Sequence, residues 1–194
     1  VTRFDRSDDR RAELLPLIAD VFKESGFRRA TTKELAERCG LRENQLYRLW
    51  PDKKAMFLAA IEFVYAATAA SWQRVMLDES LGRTAAERIF NHEVKHRGDH
   101  ALYRITFAGL NEADDPEVRK ALAGMYQRFV GTIAGVVEEH RQALGVDSGI
   151  DPNQAAWGLI GIGTISDITR ALSLLSLGER SAMLSAIGAP LLGE

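Results

Sequence analysis

The chain has 194 residues, 46% apolar and 27% charged, with a formal net charge of −2. That is enough apolar material for one compact domain, or a small module joined to a larger one, and too much for wholesale disorder. A single cysteine, Cys39, excludes a disulfide framework and a cysteine-built zinc site.

No apolar run is read as reaching the roughly 18–20 residues that span a bilayer. The opening VTRFDRSDDRR is charged where a secretory leader needs an apolar stretch. A soluble, cytoplasmic protein with no membrane partner is expected.

Helical period dominates, and no stretch alternates as a strand does. Leu14, Leu15, Ile18, Val21 and Phe22 share one face of a first helix, drawn from about Asp8 to Gly26. Pro16 inside it removes the bond to Ala12, at a typical cost of ~3 kcal/mol. Because the apolar face continues in register across Pro16, a kink is expected there.

Thr31-x-x-Glu34 is a capping box, opening a short helix through about Cys39. Gly40 breaks it, and a second short helix runs from about Arg42 to Leu49. Pro51 and Asp52 precede a long apolar-rich helix from Lys53 to about Met76. Thr84-x-x-Glu87 opens another, to about Arg97; Gly98-Asp99 punctuates, and the next carries Leu102, Ile105, Phe107 and Leu110.

Asp115-Pro116 and Asp151-Pro152 each place an N-cap before a proline at the first helical position. They open helices over about 116–144 and 152–177, separated by the Gly145–Ile150 turn. Gly178 is expected to end the second, and a last helix takes in Met183, Leu184 and Ile187. The fold class is all-α, with nine helices and no sheet.

Charge divides along the chain. Residues 1–60 hold 13 Lys and Arg against 10 Asp and Glu, whereas residues 61–194 hold 12 against 17. The amino-terminal part therefore suits a polyanion partner better than the rest. Within it, the two short helices joined by Cys39-Gly40-Leu41 form a helix-turn-helix pattern. Leu35, Ala36, Leu41, Leu46 and Trp50 would knit the pair together and seat it on Phe22 and Phe27. The second short helix leaves Arg42, Glu43, Asn44, Gln45 and Arg48 outward. Asn and Gln pair with adenine and Arg with guanine across the major groove, so this face suits double-stranded DNA.

The stretch from Arg10 to Phe57 resembles the DNA-binding domain of tetracycline-repressor (TetR) family regulators. The landmarks are Phe22, Gly26-Phe27, Ala30-Thr31-Thr32, Leu35-Ala36, Gly40, Leu46-Tyr47, Trp50 in the place of the usual Phe, and Lys53. The resemblance implies a two-domain regulator with a DNA-binding domain over 1–53 and a ligand-binding and dimerisation domain over 54–194. It also implies that Thr32, Tyr47 and Lys53 meet phosphates, with Arg42 and Arg48 on phosphate or base. The chain departs from the family where Arg42 replaces the Ser or Thr cap of the recognition helix and Asn44-Gln45 replaces Gly-Thr. A missing cap costs ~1 kcal/mol, so a frayed recognition helix is expected.

The same resemblance assigns the remainder to sensing and pairing. Phe63, Trp72, Phe90, Tyr103, Phe107, Tyr126 and Phe129, with Asn111, are the candidates for an effector pocket, and the effector is a small apolar or amphipathic molecule. Ala155, Gly158, Ile162, Leu184 and Ile187 are the candidates for a homodimer interface on the last two helices. No cofactor and no catalysis are expected; the regulator reads as a repressor released by its ligand. Two rivals remain. His92, His96 and His100 with Glu93 resemble part of a ferritin-like metal site, but no second Glu-x-x-His faces them. A helical interaction module without DNA binding is the other.

Overall fold

The computed structural model describes residues 3–96, 102–146 and 148–193. Among them are nine α-helices and no strand. They are α1 (Arg3–Arg29), α2 (Thr32–Arg38), α3 (Glu43–Leu49), α4 (Lys53–Met76), α5 (Ala85–His96), α6 (Leu102–Leu110), α7 (Pro116–Leu144), α8 (Pro152–Ala171) and α9 (Leu177–Leu192), with one 3-10 turn at Glu79–Leu81. The chain forms two compact units: Val1–Ala67 with Ala101–Met125, and Thr68–His100 with Tyr126–Glu194.

In the first unit, α1 starts at Arg3, earlier than the sequence suggested, and runs through Pro16. Helical backbone geometry is interrupted at Gly26, the expected stop, where φ is 72°, a left-handed value that a residue without Cβ adopts at little cost. The turn beyond it swings Phe27 back, 5.1 Å from the ring of Phe57 on α4, which also meets Phe22 edge-on at 5.0 Å. Leu35, Ala36, Leu46, Met56 and Ile61 are buried around these rings. Gly109 on α6 lets Leu122 approach; a Cβ there would lie 2.9 Å from its side chain.

The second unit is built on α5, α8, α9 and the later parts of α4 and α7. Gly188 of α9 admits the Phe90 ring, and Gly158 of α8 admits Leu191; an added Cβ would sit 2.4 Å and 2.8 Å from them. The buried Arg141 guanidinium donates to the carbonyls of Ile150, Leu191 and Leu192, so a charge taken out of water is satisfied by one turn carbonyl and two otherwise orphaned acceptors at the end of α9.

Two further sequence expectations are corrected. First, α8 stops at Ala171, not near residue 177, and Gly178 lies in the first turn of α9. Ser173 takes a positive φ of 55°, and the side chains of Ser176 and Glu179 cap each other's backbone N–H groups to open α9. That capping box is written in the sequence but is masked by the leucines on either side. Second, α4 is long and apolar enough, by length and composition, to cross a membrane. Its Met56, Phe57, Ala60, Ile61 and Val64 are instead buried within the protein, as in a core helix.

Candidate nucleic-acid interface

Local chemistry sets α2 and α3. Thr31 is the N-cap of α2, its hydroxyl accepting from the Glu34 N–H at 3.1 Å. Glu34 does not close the reciprocal half of the box: its carboxylate accepts from the Ser25 hydroxyl at 3.2 Å, tying α2 to the end of α1. Gly40, with φ 64°, turns the chain, and the Leu41 N–H returns to Ala36 O at 2.9 Å. Ala36, Leu46 and Trp50 are buried, so α3 is anchored by its inner face.

Both ends of α3 are capped by side chains. Arg42 has no acceptor to offer the helix, but Gln45 Oε1 accepts from the Arg42 N–H at 2.9 Å. This satisfies part of the deficit expected from the missing Ser or Thr. At the other end Arg11 Nε donates to Leu49 O at 2.7 Å, a cation at the negative helix end. Arg11 was not singled out from the sequence. Nothing local marks a contact across 38 positions.

Of the predicted DNA contacts, Arg42, Glu43, Asn44, Gln45, Tyr47 and Arg48 are exposed, Tyr47 by 44%. The side chains of Arg42, Asn44, Tyr47 and Arg48 make no hydrogen bond or ion pair among the described residues. A guanidinium at each end, a carboxamide and a phenol are thus available on a two-turn helix. Those groups match phosphate oxygens and base edges.

The other predicted contacts are already engaged. Thr32 Oγ1 donates to Glu43 Oε2 at 2.6 Å. Lys53 Nζ donates to Phe27 O at 2.9 Å and Ala30 O at 3.0 Å, and stands 4.5 Å over the Phe27 ring. It staples the α1–α2 connection to α4. Nearby, Arg38 grips Glu24 with both terminal nitrogens, at 2.8 and 3.2 Å. That hydrogen bonding holds the Glu24 carboxyl below its usual range. Burial pushes the Cys39 thiol up, as for an inert core cysteine.

The eight effector candidates fall in separate places. Tyr103, Phe107 and Asn111 line a bowl in the first unit, between the end of α1 and α6. Phe63 is half-buried on α4. In the second unit Trp72 packs on Phe129 at 5.1 Å and donates its indole N–H to Glu93 at 2.8 Å. Phe90 meets α9 at Gly188, and Tyr126 stacks on Trp157 at 5.9 Å. Gly158, Ile162 and Ile187 of the dimer candidates line an apolar groove on α8 and α9. Ala155 and Leu184 do not: they are buried inside the unit, on the inward sides of those helices.

Among the described residues no group of three or more His, Cys, Asp and Glu gathers to hold a metal ion. His100 and the side chain of His96 lie outside the described residues.

Comparison with known proteins places this head in a family. Residues 14–60 match the family model for bacterial regulatory proteins, tetR family. The nucleoid occlusion factor SlmA of Alteromonas mediterranea is 26% identical over 140 residues, 70% of each chain. That of a Marinomonas species is 34% identical over 76 residues, 39% of each. A tetR-family regulator from Cytophaga hutchinsonii shares the fold with a TM-score of 0.79 at 17% identity, over 97% of this chain and 96% of that one. Reduced NemR of E. coli does so at 0.76 and 18% identity, over 92% and 95%. Residues 14–60 thus match the DNA-binding segment of the tetR family of bacterial regulatory proteins, and the chain as a whole repeats the helical fold of solved tetR-family regulators.

Proposed function

We propose that the protein is a dimeric, sequence-specific DNA-binding regulator, acting as a repressor in the cytoplasm and released from its operator by a small apolar or amphipathic ligand. It works by binding and not by catalysis. The observation that carries this is the outward face of α3: Arg42, Asn44, Tyr47 and Arg48 stand free on a helix whose inner face is buried and whose ends are capped. Such a face is preformed, so little ordering cost opposes binding.

One short helix touches too few base pairs for useful specificity, and a two-fold pair of heads doubles them. The groove on α8 and α9 supports pairing. Trp157, Ile165 and Ile187 are 53%, 49% and 46% exposed there, beside Gly161, where nothing lies within 4 Å of an added Cβ, which permits close helix approach. A ligand that favours the DNA-incompetent arrangement of the pair would empty the operator by population shift. The residue division at 53, with reading before it and sensing and pairing after it, belongs to this reading.

Sedimentation of the full chain with and without Trp157→Glu, alongside duplex binding across a salt series, tests it. The expected result is a dimer that Trp157→Glu dissociates, with duplex affinity falling steeply as salt rises. A monomeric wild type that ignores duplex DNA would contradict it. A nucleoid occlusion role is a second reading, supported by the 140-residue match to SlmA, which extends well beyond the reading head. Loss of nucleoid occlusion on gene deletion, without derepression of any transcript, would favour that role.

A further inference from the structure

Between the end of α1 and α6 the first unit opens a bowl of about 620 Å3, within the range of small-molecule sites. Gly26, where the chain leaves helical geometry, lines it, and nothing lies within 4 Å of an added Cβ there. Phe27, Tyr103 and Phe107 supply apolar lining, and Arg28, Arg29 and Arg104 supply charge. Phe107 is 40% exposed, so a large ring already faces the opening.

The electrostatics are one-sided. The two carboxylates of the bowl are ion-paired: Glu24 by Arg38 from outside it, and Glu112 by Arg28 Nε within it, at 2.7 Å. Lys23 is matched by Asp20 at 2.7 Å. Arg29 donates only to Ser25 O, at 3.1 Å, and Arg104 only to the Tyr103 phenol oxygen, at 3.0 Å. Neither guanidinium has a carboxylate partner among the described residues. Two guanidiniums without an ion pair, Arg104 also lying in the field of Glu24, beside the exposed ring of Phe107 and the half-buried ring of Tyr103 form a receptor for a molecule that is flat and apolar at one end and anionic at the other.

We propose that this bowl binds a small aromatic carboxylate, its ring against Tyr103 and Phe107 and its carboxylate on Arg104 within the added field of Arg29. The consequence for DNA rests on the regulatory reading above. Arg28 also reaches Asn111 O at 3.4 Å, so it fastens α1 to α6. A carboxylate in the bowl competes with Glu112 for Arg28 and loosens that fastening under the reading head.

The test uses the full chain without DNA. 1-Naphthoate and its neutral amide are titrated calorimetrically into wild type, Arg104→Ala and Phe107→Ala, both surface substitutions that leave the core intact. Saturable binding of one naphthoate per chain is expected, weakened about tenfold or more by Arg104→Ala and by the amide, and also weakened by Phe107→Ala. Absence of saturable binding up to about 1 mM, equal binding of the amide, or indifference to Arg104→Ala overturns the proposal. So does an Arg104→Ala variant that loses affinity for random duplex DNA while keeping naphthoate, which would make Arg104 a phosphate contact. Because the titration contains no DNA, its failure leaves the DNA-binding reading standing, and failure of duplex binding leaves the titration valid.

Discussion

The Thr32 hydroxyl donates to the Glu43 carboxylate at 2.6 Å, linking the first turn of α2 to the first turn of α3. Two side chains expected to face DNA separately therefore hold the two helices of the head in register. The link leaves an exposed anion on a face that must approach phosphates. Glu43→Gln keeps a carbonyl acceptor for Thr32 and removes the charge. It is expected to tighten binding to duplexes of every sequence by severalfold, as read by fluorescence anisotropy at low salt. Weaker binding confined to particular sequences would instead show Glu43 accepting from a cytosine amino group.

Lys53 is a strut in this structure, with Phe27 O and Ala30 O both on its ammonium. Lys53→Met keeps the stem and loses those bonds. The expected cost is about 1–3 kcal/mol of stability, seen as a lower urea midpoint. The salt slope of duplex binding should change by much less than the roughly 0.9 units that one lost phosphate contact removes. A full unit of slope lost at unchanged stability would restore Lys53 to the DNA.

Gln45 divides capping from reading. Gln45→Ala removes the acceptor for the Arg42 N–H and is expected to cost about 0.5–1 kcal/mol through fraying of α3. Gln45→Glu supplies an equivalent acceptor and should retain the stability while weakening duplex binding through its charge. If both substitutions leave thermal unfolding unchanged, the cap is energetically idle.

Stability should also fall on acidification. The Val118 N–H, then those of Glu117 and the Lys54 ammonium, hold the Asp115 carboxyl below its usual range. Ser176 does the same for Glu179 through its hydroxyl and its N–H, and Arg38 for Glu24. A carboxyl with a lowered folded-state pKa binds fewer protons folded than unfolded. Its contribution is therefore complete above the unfolded value of about 4 and disappears as pH drops through the folded one. Urea midpoints should be level between about pH 7 and 5 and decline toward pH 3; a rise over that interval would contradict these directions.

What the sequence made legible is what local chemistry governs. Asp115-Pro116 and Asp151-Pro152 mark helix starts because cap and proline act within one turn, and α7 and α8 begin there. Gly40 marks the turn of the head because φ 64° suits glycine. The end of α8 was hidden because Leu172, Leu174 and Leu177 continue an apolar pattern that the structure leaves exposed. Within the head, periodicity identified the outward face of α3, and resemblance supplied Thr32, Tyr47 and Lys53. Neither could show that Thr32 meets Glu43 or that Lys53 meets Phe27 O, because such pairs are set by tertiary approach. Arg11, reaching Leu49 O from α1, was invisible for the same reason. The effector candidates scattered because bulky aromatics fill cores as readily as they line pockets.

The most direct test of the central claim, that the free face of α3 reads duplex DNA, is selection of bound fragments from a random duplex pool with wild type, Asn44→Ala and Arg48→Ala. Wild type should enrich one site with two-fold symmetry. Asn44→Ala should lose preference at particular positions of that site, at about 1–3 kcal/mol per base contact. Arg48→Ala should either do likewise or weaken all duplexes alike, according to whether it meets a base or a phosphate. Enrichment of no site, or recovery of the same site at the same affinity by both variants, would contradict the account.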